Sequence, residues 1–192
     1  MLYVFLTFIS NYTIMLVHVL SDIHISSNER KISEWIVKKL KKTDLILING
    51  DITSENVLEE LKSYSKVLAV QGNCDFLNLP RTNVFDLEGI KCGQLHGDGV
   101  SPRGDKEQLY TMAKSLDVDL LFVGHTHVYA VYEYKNKIFI NPGSATGSPG
   151  LICDDEIETI AEVLISEHKI NVKILSEEEI LLESNFKRDL FK

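Results

Sequence analysis

Cysteine is scarce in this chain of 192 residues: Cys74, Cys92 and Cys153 are far apart and form no C-x-x-C pair. Their number and spacing exclude a disulfide framework and a thiolate-built structural zinc site, and they suit a reducing, cytoplasmic compartment. Positive charge is also short. Twenty Lys and Arg stand against 28 Asp and Glu, a net charge of −8. Stable nucleic-acid binding is therefore not expected, because phosphate contacts need Lys and Arg. Part of the acid excess is local, since Asp154 to Glu183 holds ten acidic residues and two lysines; we read it as a solvated face. Low-complexity stretches, repeats and linkers are absent. With 44% hydrophobic and 25% charged residues, the composition is that of a soluble globular protein, and the length fits one domain with a full core.

A clean membrane-length apolar run is missing too. Met1 to Leu20 carries no charged side chain, but Ser10-Asn11-Tyr12-Thr13 interrupts it and no basic residue opens it. Residues 15–20 are moreover needed as a strand of the fold. The expectation is an upstream extension over residues 1–14, with Met15 as the natural start, a single domain over 15–192, and no membrane association.

What is present is a rhythm of apolar strands. Residues 15–20, 44–48 and 66–70 read as strands, with helices over about 29–42 (capped by Ser27 or Asn28) and 55–63 between them. This β-α-β-α-β order with near-continuous apolar strands predicts a parallel sheet buried on both faces. Residues 83–87 and 90–95 form a hairpin around Glu88-Gly89, a helix covers about 104–115, and a strand covers 120–123. Strands at 129–134 and 137–141 turn at Lys135-Asn136. A hairpin over 159–166 and 169–175 follows, and Glu177–Glu183 reads as a closing helix.

Polar residues gather just past the strand ends: Asp22 and His24, then Asp51, then Asn73, then His96, then His125 and His127. Ligands of open α/β sheets bind in the crevice at the carboxyl ends of the strands. Each residue has a plain alternative as a loop histidine, a helix cap or a turn former, and His18 and His168 read as structural or solvent-exposed. Together they bring two carboxylates, four imidazoles and one amide oxygen to one sheet edge. That set exceeds one structural zinc and matches two divalent ions sharing a carboxylate, for which Asp51 is the natural bridge. Two such ions, two carboxylates and a hydroxide leave a local charge of about +1, which attracts a phosphate despite the acidic chain.

The ordered set D-x-H, G-D, G-N-x-D, H-G and G-H-x-H, followed by Asn141-Pro142-Gly143-Ser144, resembles the calcineurin-like metallophosphoesterases. More narrowly, it is similar to their small single-domain phosphodiesterase branch, from about Met15 to the chain end. The resemblance implies an α/β fold, a four-layer α/β/β/α sandwich of two mixed sheets flanked by helices. It implies one metal held by Asp22, His24, Asp51 and His127, and another by Asp51, Asn73, His96 and His125. Mn²⁺ is the usual activating ion of that branch, with Fe, Zn, Ni or Mg able to substitute. Asp51, Asn73, His96 and Asp75 would be the catalytic residues, and a metal-bridging hydroxide would attack phosphorus in line. The implied partner is a small phosphate ester, and a homo-oligomer is compatible with the pattern. Cys74 stands where many members have a histidine that protonates the leaving group, so good leaving groups should be favoured. Asp98-Gly99 follows His96-Gly97 where a second histidine is common, and Arg103 is a candidate for contact with the substrate phosphate. The alternative reading is a non-catalytic scaffold, like the retromer coat subunit that keeps this fold.

Overall fold

Leu45–Ile48 is apolar at every position because both of its faces are covered. Leu45 and Leu47 point into a core between two sheets, while Ile46 and Ile48 meet helices on the outer side. The computed structural model describes residues 14–25, 31–150 and 157–187. Most of the expected upstream extension, the Ser27/Asn28 cap and Cys153 lie outside them.

Six strands form the first sheet: β1 (Met15–Leu20), β2 (Leu45–Ile48), β3 (Lys66–Ala69), β9 (Ile160–Ile165), β10 (Lys169–Leu175) and β11 (Ile180–Lys187), in the order β11-β10-β9-β1-β2-β3. β1, β2 and β3 run parallel, as the β-α-β-α-β reading expects, and β9 joins β1 antiparallel. The second sheet, in the order β4-β5-β6-β8-β7, holds β4 (Thr82–Leu87), β5 (Ile90–Leu95), β6 (Leu120–Phe122), β7 (Ala130–Tyr134) and β8 (Lys137–Asn141). Its two hairpins turn through paired left-handed residues, Glu88-Gly89 and Lys135-Asn136, the backbone that two-residue turns between twisted strands require.

The sheets pack face to face through Val17, Val19, Val163 and Val172 on one side and Phe122, Leu120 and Ile140 on the other. Helices α1 (Glu34–Leu40) and α2 (Glu55–Lys62) cover the outer face of the first sheet. Helix α3 (Lys106–Ser115) covers the second. The expected α/β/β/α sandwich is the fold observed. Among the described residues, no helix is long and apolar enough to cross a membrane.

Two elements differ from expectation. Helix α1 is shorter than residues 29–42, and its N-cap is Ser33, whose hydroxyl donates to Glu158 rather than to the helix. The segment expected as a closing helix is a turn and an edge strand. Ser176 and Glu179 close the turn, and Leu182, Ser184 and Phe186 pair with Ile174, Val172 and Ile170. Helix propensity in Glu177-Glu178-Glu179 is overridden by the open edge of β10, which offers a full ladder of backbone hydrogen bonds and a place for Phe186 against the core.

On the outer face of β1, β9, β10 and β11 runs a row of cross-strand neighbours, His18, Glu162, Lys173 and Glu183. Glu162 lies 3.5 Å from His18 and 3.6 Å from Lys39. This row accounts for part of the local acidity, and for a histidine in the middle of an apolar strand.

Candidate metal centre

All seven expected donors stand on one rim of the sandwich, each supplied by the segment that leaves a strand. β1 delivers Asp22 and His24, β2 delivers Asp51, β3 leads to Asn73, β5 to His96, and β6 to His125 and His127. Five of them hold left-handed backbone: Asp22, His24, Asp51, His125 and His127 have φ of 51°, 46°, 55°, 68° and 62°. Each such residue costs about 1–3 kcal/mol unless its surroundings hold it. Here they do. Asp22 and His24 donate their backbone N–H groups to the carbonyls of Gly50 and Asp51. Ser144 Oγ donates to the Asp22 carbonyl, and Thr146 Oγ1 to that of Ile23.

The donors turn their ligating atoms toward one another. His96 Nδ1 lies 2.7 Å from the Asn49 carbonyl and His127 Nδ1 2.6 Å from that of Ser148. A carbonyl only accepts, so those nitrogens carry the hydrogen and turn each Nε2 lone pair inward. His96 Nε2 then sits 3.1 Å from Asn73 Oδ1, 3.4 Å from Asp51 Oδ2 and 3.2 Å from His125 Nδ1. His127 Nε2 is 3.3 Å from Asp22 Oδ1, and His24 Nε2 is 3.5 Å from Asp51 Oδ2. Asp22 Oδ1 is buried and accepts no hydrogen bond from the described residues. Acceptors held this close repel unless a proton or a metal cation lies among them. Ligands about 2.1 Å from a common divalent ion stand at roughly these separations. The residues present therefore fit divalent metal, and Asp51 Oδ2 lies between the two groups of donors.

The titration of the site carries the same message. Burial pushes the Asp22 carboxyl up, against the pull of His96 and His127. Burial also opposes ionisation of Asp51, but the hydrogen bond and charge of His96, with the Cys74 N–H, outweigh it and hold the carboxyl well below its usual range. His96 is the counterpart. Burial favours its neutral form, yet Asp51 and Asp22 raise its pKa. His125 is pushed down to about 4 by burial first, then by His96 and Arg103. A cation bound here would take the place of the proton that His96 and Asp51 otherwise share.

Several residues that the sequence left unassigned hold this arrangement. Asn49, fully buried, accepts from His96 at its carbonyl and from Gln94 Nε2 at Oδ1, and its Nδ2 donates to the Val123 carbonyl at 2.7 Å. Ser21 Oγ donates to Asp22 Oδ2, which also accepts the His125 N–H. Gly72 is required by close approach, because a Cβ there would lie 2.0 Å from Asp51 Oδ1. Gly50 (φ +92°) meets both demands, with His96 Nδ1 2.6 Å from its would-be Cβ. Asp75, expected among the catalytic residues, is spent elsewhere. Its oxygens accept the N–H groups of Asp51, Gly72 and Thr53 at 2.9, 2.8 and 2.7 Å, which makes it a positioning residue.

His24, Asp51, Asn73, His125 and His127 line an open cleft of 410 Å³, together with Cys74 and Arg103. Arg103 Nη1 donates to the His125 carbonyl. The Cys74 thiol is pushed up to about 11 by burial and by the Asp51 charge, so it stays protonated.

Residues 15–161 match the family model described as the calcineurin-like phosphoesterase superfamily domain. A probable metallophosphoesterase of Methanocaldococcus jannaschii is 39% identical over 132 residues, 69% of each chain. Among solved structures, vacuolar protein sorting 29 from Cryptosporidium parvum superposes with a TM-score of 0.83 at 26% identity, covering 91% of this chain and 99% of its own. Wild-type Vps29 of Entamoeba histolytica, complexed with Zn²⁺, gives 0.80 at 27% identity over 90% and 99%.

Proposed function

This chain belongs to the calcineurin-like phosphoesterase superfamily, and on that premise we propose that it is a dinuclear metal-dependent phosphodiesterase acting on small organic phosphate esters. The observation that carries the reading is the gathering of Asp22, His24, Asp51, Asn73, His96, His125 and His127 on one rim, with ligating atoms of neighbouring residues 3.1–3.5 Å apart. Asp22, His24, Asp51 and His127 would hold one cation, and Asp51, Asn73, His96 and His125 the other, with Mn²⁺ the leading candidate. When bound, the pair supplies a water nucleophile at neutral pH and positive charge opposite the phosphoryl oxygens. Asp51 keeps its charge between the two groups, and Asn49 and Ser148 hold His96 and His127 in the tautomer that points a lone pair inward. Arg103, at the cleft wall, is placed to face an anionic substrate.

A protein-binding scaffold is the other reading, because the Vps29 structures share the fold. The open cleft, and a relative of higher identity named for phosphoester chemistry, favour the enzyme. The test is hydrolysis of bis(p-nitrophenyl) phosphate against p-nitrophenyl phosphate, with metal content measured in parallel. We expect the diester to be the better substrate, its hydrolysis to stop on chelation and to return with Mn²⁺. Metal-independent rates, or none with any divalent ion, would remove the proposal.

Cys74 bears on the leaving group. A thiol with a pKa of about 11 is a weak acid for an alkoxide. Cys74→His should raise turnover on a diester with an alkyl leaving group relative to an activated aryl one. An unchanged or lower ratio counts against that role.

A further inference from the structure

Beside the cleft lies a second cavity, of 300 Å³, between the loop after β5, the N-terminal part of α3 and strand β7. Val100, Leu109, Val123, Val128, Ala130 and Tyr132 give it apolar walls. Arg103 lines both this cavity and the cleft, so the two spaces adjoin at that residue. Thr126, held between His125 and His127, faces the same space, and Asn141 Nδ2 and the Val128 N–H fix its hydroxyl. Tyr132 is itself held in place, its ring stacked on Phe139 at 5.1 Å with Lys106 Nζ 4.6 Å from the centroid.

The size of the space decides its meaning. Protein interiors leave few voids larger than one water, whose share of volume is about 30 Å³. A hydrocarbon-lined cavity of about 150 Å³ is enough to bind benzene. A space twice that size, with aliphatic side chains and one fixed aromatic ring for much of its wall, is large enough for a bicyclic planar group. Its cations, Arg103 and Lys106, complement a ligand that also carries a phosphate charge.

We propose that this cavity is the specificity pocket of the enzyme, taking a planar aromatic ester group of the substrate while the phosphate lies across Arg103 in the metal cleft. The assignment rests on the phosphodiesterase reading for its substrate, and it names the class: phosphodiesters with at least one flat, largely apolar ring system. Ala130 lies on β7, outside the segment His125–His127, and with Leu109 and Tyr132 it sets which ester binds.

The experiment is a titration of protein loaded with diamagnetic Zn²⁺, methyl-labelled at Val and Leu, with 1-naphthyl methyl phosphate and separately with dimethyl phosphate. The naphthyl ester should shift the methyl resonances of Val100, Leu109, Val123 and Val128. It should bind roughly tenfold or more tighter than the dimethyl ester, in line with what apolar pocket contacts discriminate. Ala130→Phe, which fills the pocket, should abolish that preference while keeping the affinity for dimethyl phosphate. Equal affinities in the wild type, or shifts confined to other parts of the protein, would overturn the pocket whether or not the variant folds. Because the titration counts no turnover, an absence of diester hydrolysis would sink the enzymatic reading on its own, and the pocket would be judged separately.

Discussion

Asp51→Asn is expected to lower diesterase turnover by roughly 10³ or more, about 4 kcal/mol of transition-state stabilisation. The amide keeps the shape of the carboxylate and leaves Oδ1 to accept the Cys74 N–H at 2.8 Å. What it removes is charge, at the one oxygen that stands 3.5 Å from His24 Nε2 and 3.4 Å from His96 Nε2. Two divalent ions brought close together repel strongly, and a shared anion is what offsets that repulsion. Metal content per chain should therefore fall along with the rate, while circular dichroism stays that of a folded α/β protein. A variant that keeps both its metal and its turnover to within about threefold would show that Asp51 does not join two ions.

Asp75→Ala should act through stability. The buried carboxylate accepts three backbone N–H groups, from Asp51, Gly72 and Thr53. Each charge-assisted bond contributes about 1.5–3 kcal/mol, and some recovery through water is expected, so the loss should be about 3–5 kcal/mol in urea unfolding. Against a total of about 5–15 kcal/mol for a protein of this kind, that is a large fraction. Asp51 and Thr53 are both left-handed, and without the clamp their loop should relax and loosen the metal site. Weaker metal binding should therefore accompany the lost stability, with Asp75→Asn intermediate in both. A stable Asp75→Ala protein with unchanged metal affinity would deny the clamp its importance.

Much of this was written in the residue order. Strands buried on both faces announce themselves as unbroken apolar runs, and a histidine or aspartate just beyond such a run can be read without knowing the partner strand. What could not be read was carried by the main chain. The carbonyls of Asn49 and Ser148 that orient His96 and His127 have no signature in side-chain identity. The left-handed φ of five donors is equally hidden, because glycine is the only residue that advertises that backbone. The resemblance places Asp75 among the catalytic residues, and only the bonds it accepts reveal a clamp. The final strand was missed for a related reason: an edge strand is defined by the neighbour it joins, and Glu177-Glu178-Glu179 says nothing about β10.

The place of β1 in its sheet has one more consequence. Its two neighbours are β2, which follows at Leu45, and β9, which begins only at Ile160. On the ribosome, the strand that leads to Asp22 and His24 must wait, with half of its backbone groups unmatched, until Ile160–Ile165 has been made. An incomplete chain ending before Ile160 would present that bare margin to its neighbours, which invites clumping. β9 is therefore what seals β1 and finishes the cradle at its tip.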